Sequence, residues 1–152
     1  MAISRGAGTE IIRSAWFEDV DSTSQVLIQG VQHHIYTVLS IVIYAQAIQT
    51  AGTNVCTVML NGYDSKAGDS NEIFRVCRWV MQLDATFVWN DKFSFNGCEP
   101  TTFNSTAPLS TAAEQDAIAD QGSGVAQYLF VNTTEAADNC EIGITYIDQN
   151  NA

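Results

Sequence analysis

The chain has 152 residues, 46% of them apolar, enough to bury the core of one domain and too short for two full ones. Charged residues are sparse at 15%, yet 17 Asp and Glu against 6 Lys and Arg leave a net charge of -11. That field repels both a phosphate backbone and an anionic lipid surface. No segment reaches the roughly 18 consecutive apolar residues of a membrane helix either, so neither nucleic acid nor membrane is an expected partner.

In chain order, residues 1–9 are Gly-rich and polar and read as an extended N-terminal arm, with the domain proper over 10–152. The opening residues show no leader pattern, so the chain is expected to remain in the cell that makes it. Strands rich in β-branched and aromatic residues follow at about Glu10 to Phe17, Ser24 to Ile28, His34 to Ile48, Asn54 to Asn61 and Ile73 to Val80. The His34 to Ile48 run exceeds the usual strand length of roughly 3 to 10 residues, which predicts a bend or bulge within it. Phe87, Trp89, Phe93 and Phe95 share one parity of an alternating run, and Val125 to Val131 and Cys140 to Tyr146 complete a set of about eight strands. Turns are expected at Ala51-Gly52-Thr53-Asn54, Gly62-Tyr63-Asp64-Ser65, Lys66-Ala67-Gly68-Asp69 and Asn96-Gly97. One short helix is predicted after Pro108, where Thr111-Ala112-Ala113-Glu114 forms a capping box and Gly122 and Gly124 end the run. The pattern specifies an all-β, antiparallel β-sandwich with one short helix, with jelly-roll topology as a candidate winding.

Catalytic and metal-binding constellations are weak. His33 and His34 are adjacent, and on a strand their imidazoles point to opposite faces, so they cannot work as a pair. Glu18-Asp19-Val20-Asp21 and the loop from Asp64 to Glu72 offer oxygens, but neither has the spacing of a calcium loop, and both read as solvated turns. The four cysteines, Cys56, Cys77, Cys98 and Cys140, form no C-x-x-C pair and read as buried free thiols. Arg75 and Arg78 flank Cys77, and i-2 spacing places Arg75 on its face of a regular strand, the one hint of an activated thiolate. There is no nucleophile elbow and no phosphate-binding glycine loop. No enzyme, cofactor or metal site is expected. The sequons at Asn104 and Asn132 carry no weight without secretion. Trp16, Trp79 and Trp89 read as core, with exposed aromatics as candidate partner anchors.

The strings A-I-S-R-G-A-G-T-E-I-I-R-S, G-V-Q-H-H-I-Y-T-V-L-S, T-F-V-W-N-D-K-F-S-F-N-G-C-E-P, Q-D-A-I-A-D-Q-G-S and T-Y-I-D-Q-N-N-A resemble small structural proteins of aquatic tailed bacteriophages. The resemblance spans nearly the whole chain and implies a virion setting. Among virion parts, an acidic β-sandwich with an arm is similar to a capsid decoration or cement protein, made in the host cytoplasm and bound to the outer capsid surface. The implied partners are the major capsid protein and further copies of the chain, as a homotrimer or other homo-oligomer. The arm and the start of the first strand then supply the expected contacts: Ile3, Ile11 and Ile12 as apolar anchors, with Arg5 and Arg13 as charged ones. A tail, neck or fibre-associated component and a carbohydrate-binding module are the alternatives.

Overall fold

A computed structural model describes residues 8–100, 111–120 and 124–150. Their strands are β1 (Glu10–Val20), β2 (Gln25–Gln29), β3 (His34–Ala47), β4 (Val55–Asp64), β5 (Asp69–Val80), β6 (Thr86–Trp89), β7 (Phe93–Asn96), β8 (Cys98–Pro100), β9 (Gly124–Ala126), β10 (Tyr128–Thr133) and β11 (Asn139–Asn150), with helix α1 (Ala112–Asp120) between β8 and β9. The first sheet runs β1-β11-β3-β6 with β7 also on β3, and the second runs β2-β10-β4-β5. All of these pairings are antiparallel, and β8 and β9 form a separate ribbon. With β6 and β7 counted as one interrupted strand, the principal strands divide 1-8-3-6 and 2-7-4-5. That is the winding of a jelly roll.

Alternation supplies the core. In the first sheet the inward rows are Arg13, Tyr146, Val38 and Phe93; Ala15, Ile144, Ile41 and Trp89; and Phe17, Ile142, Ile43 and Phe87. Cys56, Val58, Leu129 and Val131 face them from the second sheet with no solvent exposure. Trp79 stacks on Phe87 across the gap, ring centroids 5.8 Å apart.

The bulge expected in the long third strand is present. Thr145 pairs with Ser40 but Tyr146 pairs with Val38, leaving Leu39 without a partner. The inward set therefore changes from Tyr36 and Val38 to Ile41, Ile43 and Ala45. The same irregularity breaks the ladder on the other side of β3. The single alternating run read through Phe87 to Phe95 is consequently two strands, β6 against Ile41 to Tyr44 and β7 against Ile35 to Val38.

The run read as Val125 to Val131 is also two strands, because Gln127 leaves the ladder. Its N–H donates to the Gly97 carbonyl at 2.9 Å and its Nε2 to Asn96 Oδ1 at 2.8 Å, while its Oε1 accepts from the Tyr63 N–H. Gly62, Tyr63 and Asp64, read as a turn, continue β4, and the tight turn follows them. There Asp64 Oδ1 accepts from the N–H groups of Lys66 and Ala67. The capping box forms as expected, Thr111 Oγ1 and Glu114 Oε2 each accepting from the other residue's N–H at 3.2 Å. Pro108, Gly122 and Asn104 lie outside the described residues.

Candidate interaction surface

Strand β1 is an edge strand whose two faces meet different surroundings. Its outward residues are Ile12, Ser14 and Trp16, and the cross-strand register extends each into a row. Ile12 continues through Ile147, Thr37 and Ser94; Ser14 through Thr145 and Ser40; Trp16 through Gly143, Val42 and Val88. None of these eleven residues is charged, and acidic side chains return beyond them, at Glu10 and Glu141 in the end rows and at the exposed Glu18 two residues past Trp16 on β1. In a chain of net charge -11 an uncharged sheet face is a local exception.

Trp16 is its centre. The indole lies against Gly143, where an added Cβ would come within 2.6 Å of the ring, so glycine is needed for this packing. One indole face thus covers backbone while the side chain remains 77% exposed, beside Ile12 at 71% and Val88 at 53%. Four of the five hydroxyls on this face are paired with one another, Ser14 with Thr145 at 3.1 Å and Thr37 with Ser94 at 2.9 Å. Covering the face would leave those groups partnered, which removes the main penalty for burying polar atoms.

The inward parity of β1 lines a cleft of about 480 Å³ between the edges of the two sheets, bounded by Phe17, Leu27, Tyr36 and Tyr146. At its mouth Arg13 lies 3.5 Å from Asp148 and 5.7 Å above the Tyr146 ring, and His34 Nδ1 is 2.6 Å from the other Asp148 oxygen. Burial, then the Asp148 charge, pushes the Tyr36 hydroxyl up to about 12. The Tyr146 hydroxyl is raised by burial as well.

The contact residues expected from sequence thus separate. Ile12 sits on the outward face with Trp16, whereas Ile11 and Arg13 share the inward parity, and Arg13 is engaged by Asp148 and Tyr146. Ile3 and Arg5 lie outside the described residues. Trp16, read as core, is outward because it falls on the opposite parity from Ala15 and Phe17. Asp148 could have been found in the sequence: it continues the buried parity of Ile142, Ile144 and Tyr146, and a carboxylate there requires partners.

The remaining candidate groups have structural partners. Thr23 N–H donates to Asp21 Oδ1, and Asn139 Nδ2 donates to Asp19 Oδ1. Cys77 and Arg75 are on opposite faces, contrary to the regular-strand expectation, because Val58 pairs with Cys77 but Met59 with Arg75, leaving Val76 as a bulge. Burial raises the Cys77 thiol, which disfavours a thiolate. Arg75 and Arg78 instead border a depression on the outer face of the second sheet with Thr57 and Met59.

No protein-family model matches the chain, and no curated protein matches it. Among solved structures it is similar to a chain of the disulfide-linked pili formed by Bacillus endospore appendages, at TM-score 0.43 and 10% identity over 100% of this chain and 97% of that one. It is also similar to a chain of the IBDV viral particle, at TM-score 0.40 and 6% identity, covering 96% of this chain and 36% of that one. A third likeness is to the cowpea mosaic virus top component, naturally occurring empty particles, at TM-score 0.38 and 11% identity over 95% and 87% of the two chains. The all-β assignment rests on this chain's own strand pairing.

Proposed function

We propose that this chain is a non-enzymatic structural protein of a virion, a capsid decoration protein that binds the outer face of the major capsid protein lattice. The observation that carries the reading is the uncharged outer face of the first sheet, centred on Trp16. Protein interfaces are depleted of charge at their centres and enriched in exposed aromatic anchors. The sequence resemblance supplies the virion setting, and the acidic charge suits an outer surface better than one lined by DNA. A protein that binds only the assembled lattice stabilises it by mass action, and repeated copies add along the shell.

The test is the ratio of this chain to the major capsid protein in purified virions, measured by quantitative mass spectrometry. A ratio near one supports decoration. A ratio of a few per cent moves the chain to the tail, neck or fibre, and absence from virions overturns the virion reading. Trp16→Ala is expected to weaken attachment to undecorated heads by at least about tenfold, the loss typical of an aromatic hot spot. Its stability should change by only about 1 kcal/mol, because the side chain is largely exposed. Co-sedimentation and urea unfolding check the two halves of that statement.

A second reading draws on the same residue. An indole held flat against a sheet with one face open is a stacking platform for a sugar ring, so a carbohydrate-binding module remains the alternative. Quenching or shift of Trp16 fluorescence by soluble glycans, with no binding to heads, would favour it.

A further inference from the structure

Cys56 on β4 and Cys140 on β11 belong to opposite sheets, point inward, and have no solvent exposure. Asn54 and Asp138, each two residues before one of these cysteines, are joined by a hydrogen bond from Asn54 Nδ2 to Asp138 Oδ1 at 2.9 Å, which brings the two thiols to the same level of the core, and Cys140 Sγ donates to Met81 Sδ at 3.3 Å. Met81 is fully buried as well, and its N–H is fixed by the Asn54 carbonyl at 2.9 Å. Three sulfurs from three segments therefore converge between the sheets. Cys98 is far along the fold on the β8–β9 ribbon, and Cys77 faces the core from β5.

We propose that Cys56 and Cys140 are a disulfide-forming pair that closes into a covalent staple between the two sheets when the protein meets an oxidising medium. The oxidant is a small-molecule disulfide of the glutathione class. The Cys140 thiolate attacks one sulfur of the oxidant and expels a thiolate, giving a mixed disulfide. The Cys56 thiolate then attacks Cys140 Sγ and expels the second. Two protein thiols are oxidised, one disulfide is reduced to two thiols, and the two protons released end on those thiols.

The same balance holds with the two cysteines exchanged, so the staple does not depend on which thiol attacks first. Complete burial makes the native pair slow to react, so the staple closes during folding or on transient opening. This inference is independent of the partner assigned to the Trp16 face.

The experiment refolds the full chain in buffers of reduced and oxidised glutathione, followed by acid quench, denaturation, alkylation and intact-mass and peptide analysis. The expected result is two of the four cysteines protected from alkylation, a Cys56–Cys140 linked peptide pair, and a thermal midpoint roughly 10 °C higher than that of the reduced form. Four alkylated cysteines in the most oxidising buffer, or linkage through Cys77 or Cys98, would overturn the proposal. Because a variant at Cys56 or Cys140 could fail to fold, the double variant Cys77→Ser/Cys98→Ser is the control. It retains the pair and must keep both the link and the rise in midpoint, and loss of either counts against the staple.

Discussion

Asp138 shows how a single carboxylate organises the end of the sandwich where the cores of both sheets close. It is 2% exposed, its Oδ1 accepts from the Gln49 N–H at 2.8 Å and Asn54 Nδ2 at 2.9 Å, and its Oδ2 accepts from the Glu135 N–H at 2.9 Å. The β3–β4 and β10–β11 connections are joined through it. Burial by itself would raise its pKa, but the bonds from Gln49, Asn54 and Glu135 outweigh that and hold it below its ordinary value of 3.8. A carboxylate depressed in the folded state contributes stability that is present above the unfolded pKa and lost as pH falls through the folded one. Urea unfolding as a function of pH should therefore show stability falling below about pH 4 in the parent chain. In Asp138→Asn that portion of the acid loss should disappear. At neutral pH, Asp138→Ala should cost about 3 kcal/mol, since the buried Asn54 amide loses its acceptor. Nothing in the sequence around Asp138 distinguishes it from the other loop acids, because its donors come from segments remote along the chain.

At the scale of elements, the bulge in β3 decides how much of the sheet can be built. Tyr36 and Val38 face inward on one side of Leu39, and Ile41, Ile43 and Ala45 on the other. Without the extra residue one of these sets would turn to the outside. Deleting Leu39 should abolish cooperative unfolding, seen as loss of the near-ultraviolet circular dichroism transition, whereas Leu39→Ala should retain it with a cost of about 1 kcal/mol. The sequence showed that a strand this long had to be interrupted. Where it is interrupted depends on β11, which offers Thr145 and Tyr146 to Ser40 and Val38 across the sheet. The same dependence explains why the alternating aromatic run became β6 and β7, and why Val76 rather than a regular strand separates Arg75 from Cys77.

For the molecule as a whole, the jelly roll pairs the ends of the chain: Glu10 with Gln149 at one end of the β1–β11 ladder and Val20 with Cys140 at the other. These pairings close long loops before they return any contact, so folding is governed by non-local structure. Stopped-flow refolding from urea should be slow, with a dominant phase on the order of a second or longer, and lack a microsecond phase carrying native tryptophan fluorescence.

The separation of faces is also a whole-molecule property. The uncharged rows around Trp16 and the arginines beside Met59 are on the outsides of different sheets, so one molecule presents two chemically distinct surfaces.

The sequence by itself determined the all-β class, most strand positions, the need for a bulge in the third strand, and the capping box of the helix. These depend on side-chain period and on groups within a few residues of each other. Only the tertiary structure decided which strands are neighbours, that Trp16 faces outward on Gly143, that Arg13 is bound to Asp148, and that Cys56 meets Cys140. Each of those results joins residues far apart in the chain. Local alternation states that two faces exist, and the packing of one sheet against the other states which of them is inside.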